Sequence, residues 1–504
     1  MTARLLMVQG TMSHVGKSLL VAALCRILHQ DGLRVAPFKA QNMALNSYVT
    51  PDGLEIGRAQ AVQAEAAGIE PQVEMNPVLL KPEADHRSQV VVLGRPWGSY
   101  TAAEYYRLKE ELWLLVLEAL ERLRSRYDVV VMEGAGSPAE VNLKASDIVN
   151  MRLARAVGAP VLLVGDIDRG GVFAQLVGTL ELLEPAERAL VRGLVVNKFR
   201  GDPALLAPGI RFLEERTGIP VVGVVPYDPD LAIPEEDSVA LEEERAPLRG
   251  VLDVAVVRLP HIANFDDFDP LRRTPGVTVR FVRRQEALGR PDLIVLPGSK
   301  TTAADLQHLR ESGLADALLA AAREGAAVVG VCGGFQMLGQ AIHDPHLVEG
   351  PQREAAGLGL LPVVTIFERH KATHRVEAQV LTGRGLLAGA EGMSLQGYEV
   401  HMGQSRSEGS EAPFLIRSRS GESCQVRDGA LSADGWVMGT YIHGLFHNRG
   451  LLRALLENLA RRKGAALPPQ SEEGEEPLDR LAGLVRRHLD MRLVYRIAGL
   501  EREG

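Results

Sequence analysis

Residues 10–18, GTMSHVGKS, contain the glycine, lysine and serine of a phosphate-binding loop, but their spacing is unusual. The common pattern, G-x-x-x-x-G-K-[ST], would require a glycine at position 11. Thr11 stands there, and the glycine comes one residue earlier. In such loops backbone N–H groups face the phosphates, the lysine reaches the terminal phosphates and the serine binds Mg²⁺. The residues predicted to bind ATP are Gly10, Thr11, Gly16, Lys17 and Ser18, with Ser18 also a ligand of Mg²⁺.

Three polar residues follow short apolar runs that are typical of buried strands. Lys39 comes after the run 33–38, where its charge could neutralise a phosphoryl group during transfer. Glu133 comes after the run 128–132, and a carboxylate at the carboxyl end of a parallel strand suits Mg²⁺. Asn197 follows another apolar run, so its amide could contact the adenine edge. We therefore predict Lys39 and Asn197 in the ATP site and Glu133 as a metal ligand.

A second reactive centre is indicated by residues 330–339, GVCGGFQMLG. The pattern G-x-C-x-G is that of a nucleophile elbow in which cysteine replaces serine. Gly330 and Gly334 permit the sharp turn, which would direct the sulfur of Cys332 away from the sheet. The N-terminus of the following helix would stabilise a thiolate at that position. Cys332 is therefore predicted to be a nucleophile.

A nucleophilic cysteine needs a base, and His443 in GTYIHGLF follows a strand-like run after the cysteine in the chain. Its position resembles that of the histidine in class I glutamine amidotransferases. Those enzymes usually carry a glutamate two residues after the histidine, but residue 445 is leucine. Glu399 is one residue that could orient the ring instead, and a Cys–His pair without a third group is the other interpretation. His401, in GYEVHMG, is a competing candidate for the base.

An elbow nucleophile also needs N–H donors for the negatively charged oxygen of its tetrahedral intermediate. The backbone of Gly333, directly after the cysteine, is one predicted donor. The loop LPGSK, residues 296–300, follows an apolar run and would supply the second from Gly298 or Ser299. We take Gly298 and Gly333 as the predicted oxyanion hole.

These residues would be positioned by alternating strands and helices. Short β-rich runs are separated by stretches with helical periodicity, which is typical of a doubly wound parallel sheet. The predicted strands are 4–9, 128–132, 160–165, 191–196 and 220–225, followed in a second series by 252–258, 278–282, 292–297 and 326–331. The fold class is therefore α/β, with two successive domains.

The boundaries between these domains follow from changes in composition. Residues 226–250 are rich in proline and acidic residues, which is typical of a linker. Residues after 449 are rich in Arg, Glu and Leu and are expected to be helical. We predict a nucleotide-binding domain at 1–228, a linker at 229–250, a second α/β domain at 251–448 and a helical extension at 449–504.

The overall composition excludes several classes of protein. A net charge of −8 argues against a general nucleic-acid-binding protein. No run approaches the roughly 18 apolar residues of a membrane span. Three cysteines, of which Cys25 and Cys424 lack a reactive setting, indicate no disulfide framework and fit the cytoplasm. Oligomeric state does not follow from the sequence, and a homo-oligomer is left open.

Longer motifs resemble known families. Gly10–Lys17 matches G-T-x-x-x-V-G-K, the loop of dethiobiotin synthetase and its relatives, which implies a P-loop domain of that type. The blocks 38–83, 133–143 (EGAGSPAEVNL) and 166–180 (DIDRGGVFAQLVGTL) closely resemble cobyric acid synthase, the glutamine-dependent amidase of the cobalamin pathway. The similarity runs from the phosphate loop to about residue 447. It makes Asn42 a candidate for substrate positioning, and Asp166, Asp168 and Arg169 candidates for positioning substrate or phosphate.

The resemblance implies a reaction and its substrates. The family uses glutamine or ammonia and MgATP to convert the b, d, e and g carboxylates of adenosylcobyrinic acid a,c-diamide to amides, giving adenosylcobyric acid. The second domain would then be a glutamine amidotransferase with Cys332 and His443 as catalytic residues. Two alternatives stay open. One is the a,c-diamide synthase, which shares both domains, and the other is a regulatory P-loop ATPase with a decayed amidotransferase domain.

Overall fold

The computed structural model describes residues 2–83, 86–229, 231, 233, 250–350, 352–407, 409–469 and 476–501. The predicted linker, 229–250, lies almost entirely outside the described residues. Within the described ranges, no helix is long and apolar enough to cross a lipid bilayer.

Runs rich in Val, Leu and Met form the central strands of the N-terminal half. The strands are β1 (Arg4–Gly10), β2 (Val35–Phe38), β3 (Gln41–Met43), β4 (Ser47–Val49), β5 (Glu55–Gly57), β6 (Val78–Pro82), β7 (Arg87–Val92), β8 (Arg95–Thr101), β9 (Val129–Glu133), β10 (Val161–Asp166), β11 (Val191–Phe199) and β12 (Val221–Pro226). The helices are α1 (Lys17–Gln30), α2 (Arg58–Ala66), α3 (Ala102–Arg124), α4 (Met151–Val157), α5 (Val172–Leu182), α6 (Pro185–Arg188) and α7 (Pro203–Thr217).

The main N-terminal sheet is parallel, with the strand order β12, β11, β10, β1, β9, β2. Alternate residues of β1 pack on opposite faces. Leu5 and Met7 join the core shared with α3, whereas Leu6 and Val8 join the core shared with α1. Helices cover both faces, as a parallel sheet requires. The predicted doubly wound sheet is confirmed, and β1, β9, β10, β11 and β12 begin within one residue of the predicted strands.

The second half continues the alternation and adds long antiparallel strands. The strands are β13 (Leu252–Val257), β14 (Ile262–Ala263), β15 (Val277–Val282), β16 (Leu293–Leu296), β17 (Gly298–Ser299), β18 (Ala327–Val331), β19 (Ala341–His343), β20 (Glu354–Ala356), β21 (Val363–Val380), β22 (Ser394–Ser407), β23 (Phe414–Arg419), β24 (Glu422–Asp428), β25 (Ala430–Leu431) and β26 (Val437–Thr440). The helices are α8 (Asp269–Arg273), α9 (Gln285–Leu288), α10 (Thr302–Glu311), α11 (Leu314–Arg323), α12 (Gly333–Leu338), α13 (Arg449–Lys463), α14 (Pro477–His488) and α15 (Met491–Ile497).

The second α/β sheet has the order β15, β13, β16, β18, β26, β25 and is parallel except at β25. Its strands β13, β15, β16 and β18 are the four predicted in the second series. Two further sheets of four or more strands were not predicted. One joins β20, β19, β21, β23 and β24, with β22 paired to β21, and the other joins β3, β6, β7 and β8.

The two domains contact each other through the loop before α2. Arg58, the first residue of α2, forms a buried ion pair with Asp266, with 2.8 Å between Nε and Oδ2. The side-chain oxygen of Asn46 accepts a hydrogen bond from the backbone N–H of Phe265 at 3.2 Å. Since a buried ion pair is favourable only when both charges are well placed, these contacts hold the segment around Asp266 in a defined position.

The segment predicted as a helical extension, 449–504, contains the helices α13, α14 and α15, but it divides between the two domains. Helix α13 packs into the core of the second domain. Helix α14 instead packs against α1, where Leu481 and Val485 join the N-terminal core. Arg26 of α1 also pairs with Asp479 of α14, with 2.7 Å between Nε and Oδ1. The chain therefore returns to its first domain after completing the second.

Candidate active sites

The two glycines of the phosphate loop lie where a side chain would clash with its surroundings. A Cβ atom at position 10 would lie 2.5 Å from Val15 Cγ2, so the loop folds closely over Gly10. Gly16 has a φ of 93°, and a Cβ atom there would lie 2.2 Å from the side-chain nitrogen of Asn197. Both positions thus require glycine, the second for its backbone conformation as well. The loop lies between β1 and α1, which is the setting of a helix N-terminal phosphate site.

The predicted lysine of the loop is held across it. Lys17 Nζ donates to the carbonyl oxygens of Met12 at 3.0 Å and Gly136 at 3.3 Å. Its ammonium group therefore lies between the loop and the segment after β9, where the terminal phosphates of a nucleotide would lie. Thr11 lies at the base of the loop and donates its hydroxyl to Gln175 at 3.1 Å.

Glu133 contacts three polar side chains of the proposed nucleotide site. Its Oε1 accepts from the Ser18 hydroxyl at 2.9 Å and lies 2.9 Å from Lys39 Nζ. Its Oε2 accepts from Gln63 of α2 at 2.6 Å. Burial favours the neutral acid, but Lys39, Gln63 and Lys17 outweigh it, so the pKa of Glu133 lies below its ordinary value. The carboxylate is therefore ionised at neutral pH, as a cation site requires.

The residues around Glu133 fit Mg²⁺. The Ser18 hydroxyl and the Glu133 carboxylate are adjacent oxygen ligands, and Mg²⁺ commonly takes one or two protein oxygens together with phosphate oxygens and water. Among the described residues, no group of three or more His, Cys, Asp or Glu side chains could hold a metal ion by itself. The two oxygen ligands of Ser18 and Glu133 suit a cation that binds together with its nucleotide.

The remaining N-terminal candidates divide into two groups. Asn42 and Arg169 line the large cavity beside the phosphate loop. Arg169 has no partner among the described residues, so its guanidinium is available to an anion. Asp166 instead forms an ion pair with Lys198 at 3.1 Å, and Lys198 donates to the carbonyl of His14 in the loop. Asp168 pairs with Arg200 at 2.9 Å. Asp166 therefore positions the Lys198 ammonium group against the phosphate loop.

Asn197, predicted to contact adenine, braces the loop. Its side-chain nitrogen donates to the carbonyl of Val15 at 2.7 Å. Its side chain also lines the large cavity, whose volume is about 1570 Å³. Small-molecule sites typically measure about 300–1,000 Å³, so this cavity has room for a nucleotide and a second large ligand together.

The elbow predicted around Cys332 is present. Cys332 lies between β18 and α12 with a φ of 52°, a left-handed conformation that is strained for a non-glycine residue. A Cβ atom at Gly330 would lie 2.7 Å from the Gly334 carbonyl oxygen, and one at Gly334 would lie 2.0 Å from that of Leu296. Both glycines thus allow the close approach of backbone that the turn requires. Such strain is found at functional sites where the surrounding structure enforces it.

His443 lies beside the cysteine and is oriented by an aspartate. Its Nδ1 is 2.7 Å from Asp267 Oδ2, and the other oxygen of Asp267 accepts from the Gly444 N–H at 2.8 Å. Burial disfavours the imidazolium, but the Asp267 carboxylate and the Cys332 thiol group outweigh it and raise the pKa of His443 to about 10. The stacked ring of Tyr398, 5.1 Å away between centroids, further fixes the imidazole.

The suggestion that Glu399 orients His443 is wrong. Glu399 pairs with Arg419 at 2.9 Å and lies 3.7 Å from His401 Nε2. His401 Nδ1 is 2.7 Å from the carbonyl oxygen of Gly403. Glu399 therefore belongs to a neighbouring group of charges, and the interpretation without a third residue is also replaced by a Cys–His–Asp arrangement.

Asp267 has a weak sequence signal. It lies in ANFDDFDPL, ten residues after the end of β13, and three aspartates in that stretch share similar surroundings in the sequence. The carboxyl ends of β13, β16, β18 and β26 lie at the same edge of a parallel sheet, where α/β folds bind ligands. An aspartate after β13 was therefore a reasonable candidate, but sequence alone does not distinguish it from Asp266 or Asp269.

The predicted oxyanion-hole residues lie close together. A Cβ atom at Gly333 would lie 2.8 Å from the backbone nitrogen of Ser299. One at Gly298 would lie 3.1 Å from His443 Cε1. Pairing of β17 with β14 fixes the loop in this position. The backbones of the two loops therefore meet beside Cys332, where N–H donors for an oxyanion are needed.

Comparison with known proteins agrees with this geometry. Residues 6–240 match the family model of the CobQ/CobB/MinD/ParA nucleotide binding domain. Residues 253–451 match the model of the CobB/CobQ-like glutamine amidotransferase domain. The fold and the matched domains together define a two-domain enzyme class that combines a nucleotide-binding domain with a glutamine amidotransferase.

Full-length relatives make the assignment more specific. A cobyric acid synthase from Sorangium cellulosum is 57% identical over 100% of both chains. One from Dehalococcoides mccartyi strain CBDB1 is 52% identical over 98% of this chain and 99% of its own. One from Moorella thermoacetica is 52% identical over 99% and 98%, respectively. The chain belongs to the cobyric acid synthase family.

Proposed function

We propose that this enzyme amidates the b, d, e and g carboxylates of adenosylcobyrinic acid a,c-diamide to give adenosylcobyric acid, with ATP and glutamine as co-substrates. The observation that carries the proposal is the presence of two complete sites in one chain. Cys332, His443 and Asp267 form a glutaminase arrangement, and the phosphate loop with Lys39 and Glu133 forms a nucleotide site beside a cavity of about 1570 Å³. The full-length relatives support the corrinoid substrate.

The glutaminase half-reaction follows from the positions of Cys332 and His443. The sulfur attacks the amide carbon of glutamine, and the oxyanion is stabilised by backbone N–H groups near Gly333 and Gly298. The His443 imidazolium then donates its proton to the leaving nitrogen, which departs as ammonia. Water hydrolyses the glutamyl thioester, and glutamate leaves. Asp267 keeps the ring in the orientation in which Nε2 faces the sulfur.

The synthetase half-reaction requires a better leaving group than hydroxide. A corrinoid carboxylate oxygen attacks the γ-phosphorus of ATP, ADP leaves, and an acyl phosphate forms. Ammonia then attacks the acyl carbon and phosphate departs. Lys17 and Lys39 lie where they would stabilise charge on the phosphoryl oxygens, and Mg²⁺ held by Ser18 and Glu133 would add to that stabilisation when bound.

Neither alternative is favoured. The relatives that match over full length are cobyric acid synthases, which argues against the a,c-diamide synthase. The intact elbow and the Asp267–His443 contact argue against a decayed amidotransferase domain.

Three free cysteines are consistent with a cytoplasmic enzyme, and a homo-oligomer stays a prediction.

We expect the chain to convert the a,c-diamide corrinoid when it is incubated with glutamine and MgATP. Mass analysis of the corrinoid should show successive replacement of hydroxyl by amino groups up to the fourth amide. Cobyrinic acid without the a and c amides serves as the control substrate. Preferential conversion of that control at the a and c positions would instead indicate the a,c-diamide synthase.

Substitutions in the nucleotide site should impair synthesis with either nitrogen source. Lys17→Ala removes a preorganised charge, and we expect a loss of about 100- to 1,000-fold in kcat. Glu133→Gln should raise the Mg²⁺ concentration needed for half-maximal activity, because it weakens an oxygen ligand. Both variants are assayed with glutamine and with ammonium, and glutamine hydrolysis is followed separately. Normal ammonium-dependent synthesis by either variant would remove that residue from the ATP site.

A further inference from the structure

The cavity at Cys332 is lined by residues from both domains. Lys81 on β6 comes from the N-terminal domain, and Lys371 on β21 comes from the amidotransferase domain. Lys300, in the loop after β17, lines the same cavity. Among the lining residues that the structure describes, Glu349 is the acidic one. Lysines therefore dominate the charge of a cavity that the reaction of Cys332 does not require to be positive.

Two of these lysines share one buried carboxylate. Lys81 Nζ lies 2.7 Å from Glu55 Oε1, and Lys371 Nζ lies 2.5 Å from Glu55 Oε2. All three side chains are buried, with exposures of 4%, 8% and 1% for Lys81, Lys371 and Glu55. Two ammonium groups against one carboxylate leave one positive charge in excess. Such a charge is costly in a protein interior unless an anion accompanies it.

The other charged side chains that line the described part of the cavity do not cancel this excess. Lys300 is matched by Glu83, with 2.7 Å between Nζ and Oε1. Burial raises the pKa of Glu349 to about 7, so its carboxyl group is only partly ionised at neutral pH. Burial and the neighbouring Lys81 lower the pKa of Lys371 to about 8, despite the attraction of Glu55. Lys371 therefore keeps most of its charge at neutral pH, and a second anion beside it would raise its pKa.

We infer that Lys81 and Lys371 bind the α-carboxylate of glutamine. Glutamine is an anion at that end, and three carbons separate its carboxylate from the amide carbon that Cys332 attacks. The lysine pair lines the same cavity as Cys332, which measures about 40 Å³ in this structure and must widen to admit a glutamine between them. The site is then composite, because Lys81 belongs to the domain that binds the nucleotide. This inference rests on the proposed glutaminase activity.

The test uses glutamine and two analogues that each lack one charged group. 4-Aminobutanamide lacks the α-carboxylate, and glutaramic acid keeps a carboxylate but lacks the ammonium group. The variant is Lys371→Met in the full chain, which leaves Lys81 and Glu55 as a neutral pair. Loss of a charge-assisted hydrogen bond should raise KM for glutamine roughly 10- to 100-fold. The KM for glutaramic acid should rise by a similar factor. The kcat/KM of the variant for 4-aminobutanamide should equal that of the wild type.

The matched control is Arg375→Met. Arg375 lies on the same strand and forms an interdomain ion pair with Glu70 at 2.9 Å, but it does not line the cavity. Its KM for glutamine should stay unchanged, and ammonium-dependent synthesis by both variants would show that they are folded. An unchanged KM in Lys371→Met, or an equal loss with 4-aminobutanamide, would overturn the carboxylate site. A wild-type chain that hydrolyses no glutamine would instead overturn the proposed function.

Discussion

Cys332→Ala is expected to abolish synthesis from glutamine while leaving synthesis from ammonium intact. In the proposed mechanism the sulfur acts only in releasing ammonia, and the proposed nucleotide site consists of separate residues around Glu133. Since the elbow holds position 332 at a φ of 52°, alanine preserves the side-chain direction but adds no nucleophile. We expect glutamine-dependent turnover to fall at least about 1,000-fold, as when a covalent nucleophile is removed.

The measurement compares corrinoid amidation with glutamine and with ammonium chloride at alkaline pH, where free ammonia is abundant. Cys25→Ala, at a buried cysteine in α1, provides a control for cysteine loss in general. If Cys332→Ala is folded but fails with ammonium as well, then the division of labour between the two domains is wrong.

Asp267→Asn should impair glutamine hydrolysis strongly, and His443→Asn nearly as fully as Cys332→Ala. The amide of asparagine cannot stabilise the imidazolium or fix its tautomer as the carboxylate does, and a loss of roughly 100-fold or more is expected. The pKa of His443, about 10 in the native site, should fall once the Asp267 charge is gone, because burial then dominates. The ring would lose its proton at neutral pH and cease to stabilise a thiolate.

This prediction includes a readout that simple loss of structure would not give. In the wild type, alkylation of Cys332 by iodoacetamide should be supported by the protonated ring up to about pH 10. In Asp267→Asn the His443 ring should lose its proton at a lower pH than in the wild type. Its support for alkylation of Cys332 should therefore end at that lower pH. Glu399→Gln and His401→Asn are the controls and should have much smaller effects. Should Glu399→Gln match the cysteine variant while Asp267→Asn hydrolyses glutamine normally, the assignment of the acid is wrong.

The parallel sheets could be predicted because their strands are buried on both faces. Such strands appear in the sequence as continuous apolar runs, as in β1 and β10. The antiparallel strands β21 and β22 carry mixed burial patterns, since parts of them face solvent and parts face the other domain. Their alternation is interrupted by the irregular register after Phe367. For this reason no local sequence pattern predicted β21 and β22 as strands.

The same distinction explains which site residues were found. Cys332 and Lys17 lie in motifs whose chemistry depends on neighbours in sequence. Asp267 meets His443 from 176 positions away, and its position depends on Arg58 holding the adjacent Asp266 from the other domain. Gln63, which binds Glu133, lies within the block 38–83, but the resemblance of that block does not single out this residue. Contacts of this kind arise from the folded arrangement and have no short sequence signature.

The return of α14 to α1 means that the amidotransferase domain is tethered to the nucleotide domain at both of its ends. One connection runs through 229–250, and the other follows α13. A doubly tethered domain can rock or hinge against its neighbour, but it cannot diffuse away, so the local concentration of each surface at the interface stays high. A cut within either connection would leave one tether and reduce that concentration without removing any contact. Expression of the domains as separate pieces would therefore require the segment 476–501 to accompany residues 2–228, since α14 covers apolar surface of α1.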